Sequence, residues 1–194
     1  MKAEYIFERN HEADERSRLR LIEEALDPAS IPHLERTGIE SGWRCLELGA
    51  GAGSMMRWLG NVVGPIGRVV GVDRNTSHLR HLSDSRFQII EGDFLEISLD
   101  AAFNLAHCRY VFIHNRGAAQ MLTKLAQVLK PRGFLVVEEP DFTSAKLLNR
   151  RGDVSQQRVN NAICRMFEDR VLDPAHGLSL PEKVAAEGLD IVEC

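Results

Sequence analysis

Short apolar runs, four of the five closed by an acid or a glycine, recur along the chain between longer stretches of mixed character. Arg44-Cys45-Leu46-Glu47-Leu48, Arg68-Val69-Val70-Gly71-Val72-Asp73, Phe87-Gln88-Ile89-Ile90-Glu91, Ala101 to Cys108 and Phe134-Leu135-Val136-Val137-Glu138-Glu139 read as strands. Their near-continuous apolar character is what a sheet covered on both faces demands. Between them the spacing predicts helices over residues 54–63, ended by Gly64-Pro65-Ile66-Gly67, over Thr76 to Ser83, and from about Asn115 to Leu129. Upstream, Leu19, Ile22 and Leu26 fall at helical spacing in a charged stretch over 9–26 that should end before Asp27-Pro28. Ile31 to Thr37 forms a second, shorter helix, and Gly38 and Ser41-Gly42 break the chain before the first strand. Alternating strands and helices imply right-handed crossovers and a doubly wound, mostly parallel α/β sheet.

In such a sheet, ligands bind beyond the carboxyl ends of the strands. The first strand runs into Gly49-Ala50-Gly51-Ala52-Gly53-Ser54, with Met55-Met56-Arg57-Trp58-Leu59 opening a helix. Glycines there let the backbone approach a ligand closely, and a helix start offers free N–H groups. Glu47, at the strand's end, can accept hydrogen bonds from an ammonium or from hydroxyls. Asp73 ends the second strand about where a ribose-binding acid is expected, and a carboxylate can accept from both ribose hydroxyls. Asp93 and Arg109 follow the third and fourth strands, so Glu47, Asp73, Asp93 and Arg109 should converge on one rim. A branched side chain at Gly51 is expected to obstruct that backbone-lined site. A dinucleotide fingerprint places its third glycine in the sixth position, whereas here it comes one residue early.

Composition narrows the possibilities. Hydrophobic residues at 44% and charged residues at 27% are ordinary for a globular protein, and 194 residues suffice for one domain with a substantial core. A net charge of −4 and a pI near 6.0 give no basic footprint for nucleic acid. No run is long enough to span a bilayer, and the polar N-terminus is unlike a secretory signal. Cys45, Cys108, Cys164 and Cys194 are scattered without metal-site spacing, and are expected to be reduced in a cytoplasmic protein. His78 and His81 could share a helix face but lack further ligands, so no metal site is expected.

The motifs together resemble the small-molecule class I S-adenosylmethionine (SAM) methyltransferases over roughly residues 5–194. Gly42 to Ser54 resembles the family's motif I, Gly64 to Asp73 the following strand, Asn104 to His114 the fourth-strand block, and Leu129-Lys130-Pro131-Arg132-Gly133 through Phe142 the "LKPGG" turn and fifth strand. The resemblance implies a Rossmann-like fold and SAM as cofactor, with S-adenosylhomocysteine as product. It implies cofactor contacts from Glu47, Gly49, Ala50, Gly51, Gly53, Asp73, Arg74, Asp93, Phe94 and Arg109. Within that set Asp93 would accept from the adenine amino group, and Arg109 would hold the cofactor's carboxylate or pair with Glu47 or Glu139. His114 and Tyr110 are the catalytic candidates, with Phe142 also facing the acceptor; His107 flanks the same turn. A small-molecule acceptor is expected, covered by residues of about 141–188 and by an N-terminal helical cap over 1–42, with the SAM-binding domain over 43–194.

Arg132 stands where the family usually has glycine, and Asn104 where it often has an acid, so no catalytic carboxylate carries over there. Gly188 to Cys194 resembles the start of a sixth strand with nothing left for the seventh. The sheet would then lack its last strand and expose an edge, which a longer parent chain or a homodimer would cover. Two other classes stay open at this point. A nicotinamide-dependent oxidoreductase is disfavoured by the early glycine and the lack of a Tyr-x-x-x-Lys pair, and a non-catalytic SAM-binding or regulatory domain stays open because the substrate side looks truncated and offers no persuasive base.

Overall fold

A computed structural model describes residues 12–144 and 154–194. β1 (Arg44–Leu48) is the middle of a five-stranded sheet with order β3-β2-β1-β4-β5, formed with β2 (Arg68–Asp73), β3 (Phe87–Glu91), β4 (Phe103–Arg109) and β5 (Leu129–Glu138). β1 pairs in parallel with β2 and with β4, and β2 pairs in parallel with β3. The order reverses at β1, so the switch point lies between β1 and β4 at their carboxyl ends. The central strands are buried as their apolar sequence requires, with Cys45, Leu46, Val69, Val72, Leu105 and Ala106 fully enclosed.

The α-helices among the described residues are α1 (Glu12–Arg36), which precedes the sheet, α2 (Ser54–Val63) after β1, α3 (Ala118–Val128) between β4 and β5, and α4 (Val154–Glu168) and α5 (Leu180–Ala186) after β5. Met55, Met56, Leu59 and Val63 form the buried stripe of α2, and Gly64, at φ 67°, ends that helix by returning its N–H to Gly60 O. The described residues divide into two compact units, one of 12–109 and 124–137, the other of 110–123, 138–144 and 154–194. The expected boundary at residue 42 does not separate them, since α1 and the sheet share the first unit.

Four local expectations are corrected. The two N-terminal helices are one, running through Pro28 and Pro32. An interior proline costs about 3 kcal/mol, but this helix is held from outside. Leu34 is fully buried, Asp27 and Ser30 bind Arg109, and the Ser30 hydroxyl donates to Leu26 O at 3.2 Å. Thr76 to Ser83 holds only a 3₁₀ turn over Ser77–Leu79. There Glu91 Oε2 takes the Thr76 hydroxyl and N–H, and Asn75 Oδ1 takes the Ser77 N–H, which ties the start of this segment to β3 and to the preceding turn. The Pro131-Arg132-Gly133 turn lies inside β5 as a kink, with Arg132 at φ 65°. Gly133 passes so near the neighbouring strand that a Cβ would sit 3.0 Å from Phe103 O. Finally, residues 189–194 form no sixth strand; Ile191 and Val192 are 43% and 83% exposed, with no sheet neighbour on which to pack.

Candidate cofactor site at the strand ends

Glu47 is next to last in β1, Asp73 last in β2, Asp93 just past β3, and Arg109 last in β4. The glycine turn is stitched to this row. Gly49, Gly51 and Gly53 have φ of 73°, 55° and 91°, a region that penalises any Cβ. Gly49 N–H donates to Val72 O at 2.8 Å, and Gly51 N–H donates to Asp73 Oδ2 at 2.9 Å. Asp73 Oδ1 accepts the Asn75 N–H at 3.0 Å, which still leaves lone pairs on both oxygens. Arg74 Nη2 then reaches Asp93 Oδ2 at 2.9 Å, while Asp93 Oδ1 accepts the Leu95 N–H at 3.0 Å. One connected set of bonds thus runs from the glycine turn across the ends of β2 and β3.

Burial pushes the Asp73 carboxyl above its ordinary value, and N–H donors from Asn75, Gly51 and Arg74 pull the other way. Additional donors aimed at its free lone pairs would favour the ionised form. Glu47 is only 4% exposed, and its Oε2 lies 2.7 Å from Nδ1 of His107, its register partner on β4. His107 is fully buried in that pair, a sheet-interior position rather than an open one. Burial, followed by the Glu47 charge, pushes the neighbouring Cys45 thiol up to about 12, so it is no nucleophile.

Ala50 is buried beside the turn at 7% exposure. Phe94 is buried at 2%, with Lys124 Nζ 5.0 Å from its ring centroid. At Gly53 a Cβ would come within 2.9 Å of both Leu79 and Leu82. At Gly51 it would meet Leu19 Cδ2 at an ordinary 3.6 Å. A side chain at Gly51 therefore meets no protein atom closer than an ordinary contact, and within the protein its penalty comes from the positive φ of 55°. Asn104, read as standing in for an acid, sits near the start of β4, at the opposite end of the strand from the rim. Its Oδ1 accepts from the Arg44 N–H at 3.0 Å and Lys130 Nζ at 3.1 Å.

Arg109 pairs with neither Glu47 nor Glu139. Its Nη2 donates to Asp27 Oδ1 at 2.8 Å and its Nη1 to Ser30 Oγ at 2.7 Å, both on α1. The same helix supplies Glu23, whose Oε1 takes the Ser54 N–H at 3.0 Å and so caps α2, and Asp27, which takes the Ser54 hydroxyl at 3.2 Å. Sequence reasoning missed Glu23, Asp27 and Ser30 as rim residues, because Asp27-Pro28 looked like a helix end. The heptad-like row Glu23, Asp27, Ser30 was the available signal, since it lies on one face of a continuous helix.

The catalytic candidates lie in the other unit. Tyr110 has φ 57°, rare for a bulky residue, and donates its N–H to Glu138 O at 2.8 Å. His114 lies 5.6 Å from the Phe167 ring, which also stacks on Phe142 at 5.4 Å. The turn between them closes on Glu139, whose carboxylate accepts N–H groups from Val111, Phe112 and Ile113 at 2.7, 2.7 and 3.0 Å. Burial pushes that carboxyl up to about 7, against the three donors. A carboxyl raised in the folded state contributes stability that is complete below its unfolded value of 4.5 and is lost as pH rises through about 7. Its side-chain ¹³C titration is expected to have a midpoint near 7; a midpoint at or below the ordinary value would show that the donors dominate. Of the proposed covering region, residues 145–153 lie outside the described residues.

Comparison with known proteins matches this geometry to a family. Residues 9–175 fit the family described as "Methyltransferase domain". The chain belongs to that family, the class I SAM-dependent methyltransferases, and has their fold. It is 28% identical, over 72% of its length and 41% of the relative's, to an uncharacterised 37.1 kDa protein in transposon TN4556 of Streptomyces fradiae. It is 30% identical, over 62% of its length and 50% of the relative's, to the ubiquinone/menaquinone biosynthesis C-methyltransferase UbiE of Pseudomonas aeruginosa. The chain thus spans about half the length, or less, of the curated relatives it matches. Among solved structures it resembles a SAM-dependent methyltransferase from Aquifex aeolicus, with a TM-score of 0.56, 19% identity, and 80% and 87% of the two chains covered. It also resembles the Burkholderia thailandensis 1,6-didemethyltoxoflavin-N1-methyltransferase, with a TM-score of 0.52, 21% identity, and coverage of 58% and 51%.

Proposed function

We propose that this chain binds SAM at the strand-end rim and transfers its methyl group to a small-molecule acceptor. The observation that carries the proposal is the Gly51 N–H bond to Asp73 Oδ2 at 2.9 Å, which fixes a side-chain-free bend against a carboxylate with open acceptor sites. Gly49, Gly51 and Gly53 leave the approach clear, Asp73 would take the ribose hydroxyls, and Asp93, held by Arg74, would face the adenine amino group. When bound, SAM supplies a methyl group on a cationic sulfur that is already a good leaving group. What remains for the protein is to align donor and acceptor and exclude water, an effect that can supply ~7–11 kcal/mol.

The acidic balance supports a small acceptor over nucleic acid, and four free cysteines suit a reducing cytoplasm. No helix among the described residues is long and apolar enough to cross a membrane. Tyr110 and His114 are the proposed acceptor-side groups. β5 is terminal in the sheet, and a homodimer would pair there. SAM binding without transfer is the second reading, favoured by the commitment of Arg109 to Asp27 and Ser30. A thermal-shift comparison tests cofactor binding: SAM at ~100 times its Kd adds about 2.7 kcal/mol, or roughly 5–10 °C for a domain of this size, and NAD should add nothing. No shift with SAM or S-adenosylhomocysteine would remove both readings, whereas methyl uptake by any acceptor would remove the second.

A further inference from the structure

The connection from β3 to β4 over residues 92–102 contains no helix, so its carbonyls have no helical N–H groups to accept from. Near its start a single turn forms, in which Asp93 O takes the Glu96 and Ile97 N–H groups at 2.9 and 3.2 Å. The other carbonyls of that turn are met by one side chain from a distant element. Lys124, on α3, donates from Nζ to Phe94 O at 2.6 Å, to Leu95 O at 3.2 Å and to Ile97 O. An ammonium carries three donors and no acceptor. All three go to main-chain oxygens of this one turn.

The same turn presents Asp93. Phe94 follows it directly, with its carbonyl on Lys124, its ring 2% exposed and the ammonium 5.0 Å from the ring centroid. A cation over an aromatic face at that separation is attracted to it. Asp93 Oδ1 is spent on the Leu95 N–H within the turn, and Oδ2 on Arg74. The Arg74 pair is a poor anchor, because its side chains are 43% and 35% exposed and such pairs contribute little against screening and side-chain entropy. Lys124 is a better one. Its bonds are charge-assisted, and its end of α3 is fixed by the buried Leu125 and Val128.

We infer that Lys124 is a positioning residue for the adenine end of the cofactor: by pinning the turn over residues 93–97 to α3, it sets the direction in which the Asp93 carboxylate faces the exocyclic amino group. Lys124 touches no part of the cofactor in this role and acts through Asp93, so it rests on the SAM reading of the rim. Its effect is therefore on selectivity for adenine, beyond any effect on stability.

Calorimetry on the full chain with S-adenosylhomocysteine, and with its analogue carrying unsubstituted purine, tests this, because the two differ only in the amino group. The parent is expected to prefer S-adenosylhomocysteine by roughly 10- to 150-fold, the range for a hydrogen bond to a charged group. Lys124→Met keeps the apolar stem and removes the donors. It is expected to narrow that preference by about fivefold or more, with little change in the Kd of the purine analogue. The ratio is insensitive to lost folded protein, since both ligands sample the same folded fraction. Lys124→Gln, neutral and with two donors, should give a smaller narrowing, and decides the matter if the methionine variant does not fold. Asp93→Ala should abolish the preference, and Lys124→Met added to it should change the ratio no further. A parent-like ratio in the Lys124 variants, with both ligands weakened equally or not at all, would overturn the inference alone. A parent that binds neither ligand would remove the SAM reading and this inference together.

Discussion

Asp73→Ala is expected to weaken SAM binding by about 1.5–3 kcal/mol, roughly 10- to 150-fold in Kd. Two losses combine. The ribose hydroxyls would lose a charged acceptor, and the Gly51 N–H would lose the partner that fixes the glycine turn. Asp73→Asn separates them, because its amide oxygen can still accept from Gly51 while the charge is gone, so an intermediate loss is expected. The free carboxyl is raised above its ordinary value by burial, and the charged form is the one that accepts from ribose. SAM affinity should therefore fall as pH is lowered, beginning above the ordinary value of 3.8, and Asp73→Ala should be flat through that range. Isothermal titration at several pH values measures both effects. Unchanged affinity in Asp73→Ala would mean that the acid faces elsewhere.

Gly71→Val is expected to prevent stable folding, and Gly71→Ala to destabilise the chain by about 1–3 kcal/mol, the usual range for overpacking. Gly71 lies in β2 opposite Glu47, and a Cβ built there runs into the side chain of Met56 on α2. The atoms it meets are the thioether end of Met56, which is fully buried and would have to repack, while Ala50 Cβ stands at an ordinary 3.5 Å from the added carbon. A valine adds two further methyl groups to the same space, against a total stability of only about 5–15 kcal/mol. Urea denaturation followed by circular dichroism reads the alanine variant, and the pairing Gly71→Ala/Met56→Ala should recover part of the loss. A valine variant as stable as the parent would show that α2 can move away from the sheet.

Most of the first unit was legible because its signals are local. Arg68 to Asp73 is β-branched, apolar and closed by an acid, and it is β2 to the residue. The α2 stripe and its Gly64 stop were equally plain. The errors fell where tertiary contacts outbid local preference. Asp27-Pro28 has every local mark of a helix end, yet Asp27 and Ser30 hold Arg109 and the helix passes through. Thr76 to Ser83 has helical composition, but Glu91 on the next strand takes the Thr76 groups and only a short turn forms. Gly188 to Cys194 has a strand's alternation and no strand to lie beside.

The sequence alone determined the alternation of buried strands and covering helices, and hence which polar residues stand at strand ends. Side-chain period and apolar run length are properties of neighbouring residues, and they fix strand, turn and helix without reference to the rest of the chain. Only the tertiary structure decided what those residues hold: Glu47 to His107, Asp73 to the glycine turn, and Arg109 to α1. A partner far away in sequence is chosen by distance and desolvation in the folded state, which no local pattern encodes.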